Sequence, residues 1–455
     1  MPRAEHDLLG SLDLPDDALY GIQTERARRH FSAAGRVTQL DVIRALAEVK
    51  QACALANRDC GFLSESQTMA IVKACAEILS GAHDAHFVVD ALQGGAGTST
   101  NMNVNEVVAH RATQLAGEVI TPLDHVNRHQ STNDTYPTAI KIAVLRALAD
   151  LEKAIIRLQE AYQIKEREFA GVVKLGRTQL RDAVPVTLGR EFGACATALA
   201  RDRWRVFKCA ERLRVVNLGG TAVGTGLAAP RAYIFCVIEK LREVTGLNLA
   251  RAENLVDATQ HHDAFVEVSG MVRAHAVNLI KFARDLRLMN SGPVGGLGEI
   301  ELPAIQPGST LMPGKINPVI PEMVMQAGFR VCGCDHEVTL AILSGELELN
   351  AFLPLVADAL LTASHTLQRT DLIFAEFCVL GIRANADHCR EVLERSHEIV
   401  TALVPVIGHE KAVQLAQRMR ERPGSVREAV LAEGLMSAPE LDALLQPEAL
   451  CKLGF

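Results

Sequence analysis

Thr138 to Ala170, TAIKIAVLRALADLEKAIIRLQEAYQIKEREFA, contains neither Gly nor Pro. Leu145, Leu148, Leu151, Ile155, Leu158 and Tyr162 recur along it at spacings of three or four, the period of a helix that buries a continuous stripe. At 1.5 Å per residue such a rod is about 50 Å long. Similar low-glycine segments run from about Thr187 to Val216, Val256 to Asn290, Pro318 to Asn350 and Leu355 to Leu380, each stopping near Gly, Pro or Asn. The pattern predicts an all-α, mostly helical protein built on a central long-helix bundle.

Alanine is frequent in these rods and aromatic residues make up only 4% of the chain, so helices should approach one another closely. A rod apolar on more than one face would also bury against neighbouring subunits. Strand signals are confined to Val172–Leu175 and Arg214–Val216. Shorter helices and loops precede the bundle and short amphipathic helices follow it. That divides the chain into an N-terminal part, 1–132, a central part, 133–385, and a small C-terminal part, 386–455.

With 455 residues, 48% of them apolar, the chain can bury a sizeable core without metal or disulfide staples. Its net charge of −7 with scattered basic residues gives no electrostatic footprint for nucleic acid or an anionic membrane. Eleven cysteines lie in no dense framework, and the N-terminus carries no signal-peptide core. A cytoplasmic protein with reduced thiols is expected. No uninterrupted apolar stretch of membrane-spanning length is present.

Four polar segments interrupt the apolar pattern. The first, Gly94-Gly-Ala-Gly-Thr98-Ser-Thr-Asn-Met-Asn-Val-Asn-Glu106, packs hydroxyls and amides before a helix expected near Val104. Such donors at a helix start suit an anion, and equally suit an elaborate N-cap. The second, His125 to Asp134, opens the longest rod with Ser131, Thr132 and Asn133. His125 and His129 have the spacing of metal ligands, but no carboxylate or cysteine pattern completes a set. His83 with His86, His261-His262-Asp263 on the third rod, and Cys332-Gly-Cys334 likewise read as structural, so no metal site is expected.

The third segment, Leu175 to Pro185, joins the first rod to the second and contains Thr178 and Gln179. The fourth is Gly308-Ser309-Thr310-Leu311-Met312-Pro313-Gly314-Lys315-Ile316-Asn317-Pro318. It sets one serine among flexible glycines with a cation and an amide nearby. That is an inventory for drawing a proton from beside a carboxylate and holding the resulting oxyanion. Pro318 fits the first position of the helix that follows.

Taken in order, G-x-G-T-S-T-N-M-N-x-N-E, Q-S-T-N-D, G-R-T-x-L-x-D-A-x-P and the Gly308–Pro318 run resemble the aspartase/fumarase superfamily. The likeness extends from His6-Asp7-Leu8-Leu9-Gly10 and Tyr20–Thr24 to the tail between Ile407 and Leu444. Within the superfamily, Thr98-Ser99-Thr100-Asn101, Gln130-Ser131-Thr132-Asn133 and Gln179 are similar to the ammonia-lyases rather than the fumarases. The resemblance implies three helical domains, a homotetramer with a twenty-helix core, active sites shared among three subunits, and no cofactor.

It further implies elimination of ammonia from L-aspartate to give fumarate. Hydration of fumarate, or lyase action on a related N- or O-substituted succinate, is the alternative; a catalytically inactive structural homologue would show a damaged loop. By match to the family motif, Ser309 is the base. Lys315 and Asn317 hold the α-carboxylate, and Thr98, Ser131, Thr132, Thr178 and Gln179 the β-carboxylate. Asn133 with Thr98 contacts the amino group. Thr310 replaces the second serine of the family pair, keeping the hydroxyl but stiffening χ1. Gln179 cannot titrate, so no histidine–glutamate relay through Glu322 is available.

Overall fold

The computed structural model describes residues 3–421 and 424–451. The outermost residues of the first and last expected domains, 1–2 and 452–455, lie outside the described residues. The chain forms two compact units, described separately below. Residues 1–152, 204–274 and 330–367 make the first, and 153–203, 275–329 and 368–455 the second.

The first unit opens with a hairpin, β1 Arg3–Asp7 and β2 Gly10–Leu14, followed by helix α1 Ile22–His30. Helices α2 Leu40–Asp59, α3 Glu65–Leu79 and α4 Thr98–Ala116 pack around fully buried Ala45, Leu46, Val49, Ile71, Val104 and Val107. Small alanines on α2 are what let its neighbours approach so closely. Glu106, buried on α4, accepts from the Gly21, Gln23 and Thr24 backbone amides and from the Thr24 hydroxyl, tying the N-terminal segment down.

Five long helices carry the bundle pattern. They are α5 Thr132–Glu168, α6 Leu188–Ala210, α9 Asp263–Met289, α10 Val319–Leu343 and α11 Leu353–Phe377, and the division between units falls inside each. Leu148, Leu151, Ile155, Leu158 and Tyr162 of α5 are all buried, as their spacing requires. Between α6 and α9 the first unit adds α7 Arg231–Thr245, α8 Leu255–Gln260 and the short parallel pair β5 Val215–Val216 with β6 Ala250–Arg251.

The rod ends differ from expectation wherever an apolar pattern outlasts its helix. The second rod stops at Ala210 rather than Val216, because Val215 and Val216 pair as strand. The third is broken: α8 ends at Gln260, and His261 and His262 lie between helices, so only Asp263 of that trio is helical. The fourth stops at Leu343 and the fifth at Phe377, before the turns at Gly345 and Gly381.

In the second unit, β3 Val173–Thr178 and β4 Arg181–Thr187 form an antiparallel hairpin with a bulge between Leu175 and Arg177. A smaller pair joins β7 Ile300–Glu301 to β8 Arg383–Ala384. The C-terminal helices α12 Ala386–Arg395, α13 Val404–Ile407, α14 His409–Glu421, α15 Val426–Ala432 and α16 Ala438–Leu444 gather around buried Leu393, Leu403, Leu415, Val430 and Leu441. Every strand among the described residues belongs to a two-stranded piece, so the architecture is all-α with β trim, as the sequence predicts. Among the described residues no helix is long and apolar enough to cross a membrane.

Candidate active site

The Gly308–Pro318 run is an irregular loop whose ends are clasped. The Gly308 amide donates to the Lys315 carbonyl at 2.7 Å, and Asn317 Nδ2 donates to the Gly308 carbonyl at 2.5 Å. A Cβ on Gly308 would stand 2.6 Å from the Lys315 carbonyl oxygen, so the clasp demands glycine there. Gly314 turns the loop at φ 78°. Helix α10 begins at Val319, leaving Pro318 one residue ahead of the position expected for it; the Pro318 carbonyl accepts from the Glu322 amide.

Inside this clasp the backbone amides of Leu311 and Met312 donate to Ser309 Oγ, at 3.1 and 2.8 Å. Two N–H dipoles aimed at one hydroxyl oxygen favour its anionic form. Ser309 is half-buried, while Thr310, Leu311, Met312, Pro313 and Lys315 are exposed. Lys315 makes no ion pair among the described residues, so its charge is available to a ligand. Gly314, Lys315 and Asn317 line a cleft of about 670 Å³ with Arg287, Asn290 and Glu322.

Thr178 and Gln179 stand exposed at the tip of the β3–β4 hairpin in the same unit. The two-residue turn Gln179-Leu180 has both φ values positive, 55° and 61°, which is the primed turn that usually takes Asn-Gly. Side-chain-bearing residues held there carry backbone strain, a feature that gathers at functional sites. Beneath the tip, Arg177 pairs with buried Glu299 at 2.5 Å, and Lys174 bridges Glu299 and Glu191. Gln179 lines a different cavity from Lys315, so the structure does not bring these two to one pocket.

Thr98, Ser131, Thr132 and Asn133 belong to the other unit. Gly95, Ala96 and Gly97 all have positive φ, and α4 starts straight from them at Thr98. The hydroxyls expected ahead of a helix at Val104 therefore form its first turn, because glycine handles the reversal and leaves Thr98-Ser99-Thr100-Asn101 free to be helical. Thr98 is exposed there. A Cβ on Gly97 would meet the Tyr136 ring at 2.5 Å, which brings this turn against α5.

At the start of α5, Ser131 acts as a cap. Its hydroxyl accepts from the Asn133 amide at 3.2 Å, and the Asp134 carboxylate accepts from the Ser131 amide at 3.0 Å. Asn101 Nδ2 donates to Thr132 Oγ1 at 3.1 Å, so the first two polar segments come together in one unit. Under them lies Lys50, fully buried, donating to Asn127 Oδ1 and Gln130 Oε1. Burial pushes its pKa down to about 8. Sequence reading passed over Lys50, since a lone lysine in an apolar helix gives no signal.

His125, His129 and His83 turn to local partners, while both ring nitrogens of buried His262 have none among the described residues. His129 Nδ1 lies 2.6 Å from Asn57 Oδ1, and His125 Nδ1 2.9 Å from the Thr121 hydroxyl. His83 pairs with Glu77 at 2.9 Å. Cys332 and Cys334 sit on α10, the latter buried. Among the described residues no group of three or more His, Cys, Asp or Glu side chains gathers as a metal site.

A family profile described as "Lyase" matches residues 10–333, and one described as "Fumarase C C-terminus" matches 399–452. The chain belongs to this lyase family, the aspartase/fumarase superfamily, as its four polar segments imply. Among curated relatives, an aspartate ammonia-lyase of Pseudomonas canavaninivorans is 46% identical over 98% of this chain and 96% of its own. The aspartate ammonia-lyase of Bacillus subtilis (strain 168) is 43% identical over 99% and 96%. A crystal structure described as fumarate lyase:delta crystallin from Brucella melitensis superposes with a TM-score of 0.96 at 46% identity, covering all of both chains. A class II fumarase from Schistosoma mansoni gives 0.94 at 33% identity over 98% of each. Family and relatives together class the protein as an enzyme, a carbon–nitrogen lyase.

Proposed function

We propose that the protein catalyses the reversible deamination of L-aspartate to fumarate and ammonia. The obstacle is the Cβ proton, far less acidic than an ordinary side-chain base can remove unaided. Removing it puts charge on the adjacent carboxylate as an enediolate, and preorganised donors stabilise that charge by about 3 kcal/mol each. Collapse of the enediolate expels ammonia from Cα and leaves fumarate.

Ser309 is the base, acting as an alkoxide. The observation that carries this reading is the pair of backbone amides donating to its Oγ. Lys315 and Asn317 take the α-carboxylate; Thr98, Ser131, Thr132, Thr178 and Gln179 take the β-carboxylate. Asn133 with Thr98 receives the amino group. Asn317 Nδ2 gives one N–H to the Gly308 carbonyl and has a second for the carboxylate, so the clasp holds the donor in place.

A complete site draws on three chains of a homotetramer. Support comes from the separate cavities lined by Gln179 and Lys315, and from large apolar side chains left exposed on the rods, among them Trp204, Phe207, Phe329 and Leu343. The test is ultraviolet absorbance of fumarate with L-aspartate, beside L-malate, with ammonia assayed. Fumarate and equal ammonia from aspartate alone establish the reading; fumarate from malate instead overturns it.

A further inference from the structure

Eight residues between β5 and α7, Gly219-Gly220-Thr221-Ala222-Val223-Gly224-Thr225-Gly226, carry four glycines and follow Asn217. Gly219, Gly224 and Gly226 have positive φ, and so does Thr221, at 55°. A Cβ on Gly224 would lie 2.4 Å from the backbone of Leu255 and Val256, so the loop is pressed onto α8. This is a built loop, not a slack connection, and it sits against the start of α5.

Its anchor is Asp134, fully buried. Asp134 Oδ2 accepts from the Gly219 amide at 3.1 Å and the Thr221 amide at 3.0 Å, while Oδ1 caps Ser131. Asn217 Nδ2 donates to the Asn133 carbonyl at 2.9 Å and to Thr259 Oγ1 at 3.0 Å. The loop then reaches the neighbouring side chain: Asn133 Nδ2 donates to the Ala222 carbonyl at 2.8 Å.

That last contact fixes which way the Asn133 amide faces. A carbonyl only accepts, so the atom opposite Ala222 must be Nδ2. Oδ1 therefore points the other way, and it makes no hydrogen bond among the described residues. We propose that the loop Asn217–Gly226 is a positioning element for the substrate site, holding Asn133 so that it presents an oxygen acceptor to the leaving nitrogen. This rests on the aspartate reading above and extends it. An acceptor suits ammonium or ammonia, which bring only donors at that point, and leaves the two carboxylates to other residues.

The strained, buried Thr221 accords with a loop held in place from outside itself. Its hydroxyl has no partner and its residue is only 6% exposed. Strain of this kind persists only where the surroundings over-determine the backbone. Here Asp134 supplies that hold from α5, and Asn217 fastens the root of the loop to Asn133 and Thr259.

The experiment uses the full-length enzyme with Asp134→Ala, which removes the acceptor for the two loop amides. Asn217→Ala is the second variant, cutting the tie to Asn133 and Thr259 while keeping the carboxylate. In the amination direction KM is measured separately for ammonium and for fumarate, with inhibition by succinate, which has no substituent at the amino position. Freed to rotate, Asn133 loses its acceptor, and the ammonium KM rises about tenfold, the worth of one hydrogen bond to a charged group. The succinate inhibition constant stays within about twofold. Parallel weakening of succinate and ammonium, or no change in either for a folded Asn217→Ala, overturns the proposal. A wild-type enzyme that makes no fumarate from aspartate overturns the parent reading first, and this extension with it.

Discussion

Ser309 is chemically ordinary until the loop surrounds it. A free serine hydroxyl is too weak an acid to yield a base near neutral pH, and two amides at 3.1 and 2.8 Å supply only part of what is needed. In the proposed mechanism the exposed ammonium of Lys315 supplies the rest. Ser309→Ala is therefore expected to lower kcat by about 10²–10⁴, the usual worth of a positioned base, with fumarate still bound and the melting temperature unchanged. Activity within a few-fold of wild type would remove Ser309 from that role. Gly308→Ala is a second probe of the same chemistry. Its Cβ would press on the Lys315 carbonyl and the Asn317 amide, at 2.6 and 2.7 Å, opening the clasp without touching a core. Steady-state kinetics should show kcat/KM falling by an order of magnitude or more, about the effect of misplacing reacting groups, while thermal stability holds.

Elements show how far the sequence could be read. The rods were legible because a three-to-four spacing sustained over many residues has no other explanation, and α5 buries the leucines that the spacing nominates. Their ends were not, because apolar residues continue into strands and turns: Val215 and Val216 fit a helix stripe and a β pair equally well. The four polar segments stood out in the sequence, but their shape did not. Leu175–Pro185 carries no Asn-Gly or Asp-Gly at its reversal, so its turn chemistry hid a hairpin. The loop at 217–226 was missed although its glycines stand out, since nothing in the chain announces that Asp134 will hold it. The hairpin also yields a prediction. Leu180 sits at φ 61°, is 76% exposed, and so pays for its conformation with little packing in return. Leu180→Gly should raise stability by up to about 1 kcal/mol, read as a shift in the denaturation midpoint. An unchanged or lower midpoint would mean that the turn is not strained.

Across the whole molecule, pH acts on several buried groups, a trio around His275 among them, and the proposed assembly acts on the sites. His275, on α9, lies between Asp202 and Asp371, 3.0 and 2.9 Å away, with all three side chains fully buried. Burial alone would strip its proton, but the charge of Asp371 and the hydrogen bonds His275 donates to both carboxylates hold it on, raising its pKa to about 10. Because the folded pKa lies above the unfolded value of 6.5, the stabilisation is complete below that pH and is lost as pH climbs through about 10. The His275 contribution to the melting temperature should fall across that window, against an opposing rise from Lys50 and Lys141, whose burial lowers their pKa values to about 8. His275→Gln should flatten the fall while costing about 3–5 kcal/mol, since it removes the cation held between two buried carboxylates; an alkaline slope that survives the substitution would assign it elsewhere. The sharing of sites can be tested by mixing. Ser309 belongs to one unit and Asn133 to the other, and the proposed site takes them from different chains. The Ser309→Ala and Asn133→Ala enzymes should each be nearly inactive. Denatured together and refolded at equal ratio, they should regain about a quarter of wild-type activity, because random assembly gives one site in four an intact Ser309 beside an intact Asn133. No recovery in mixed assemblies of confirmed tetrameric mass would mean that both residues come from the same chain, and the shared-site reading would fall.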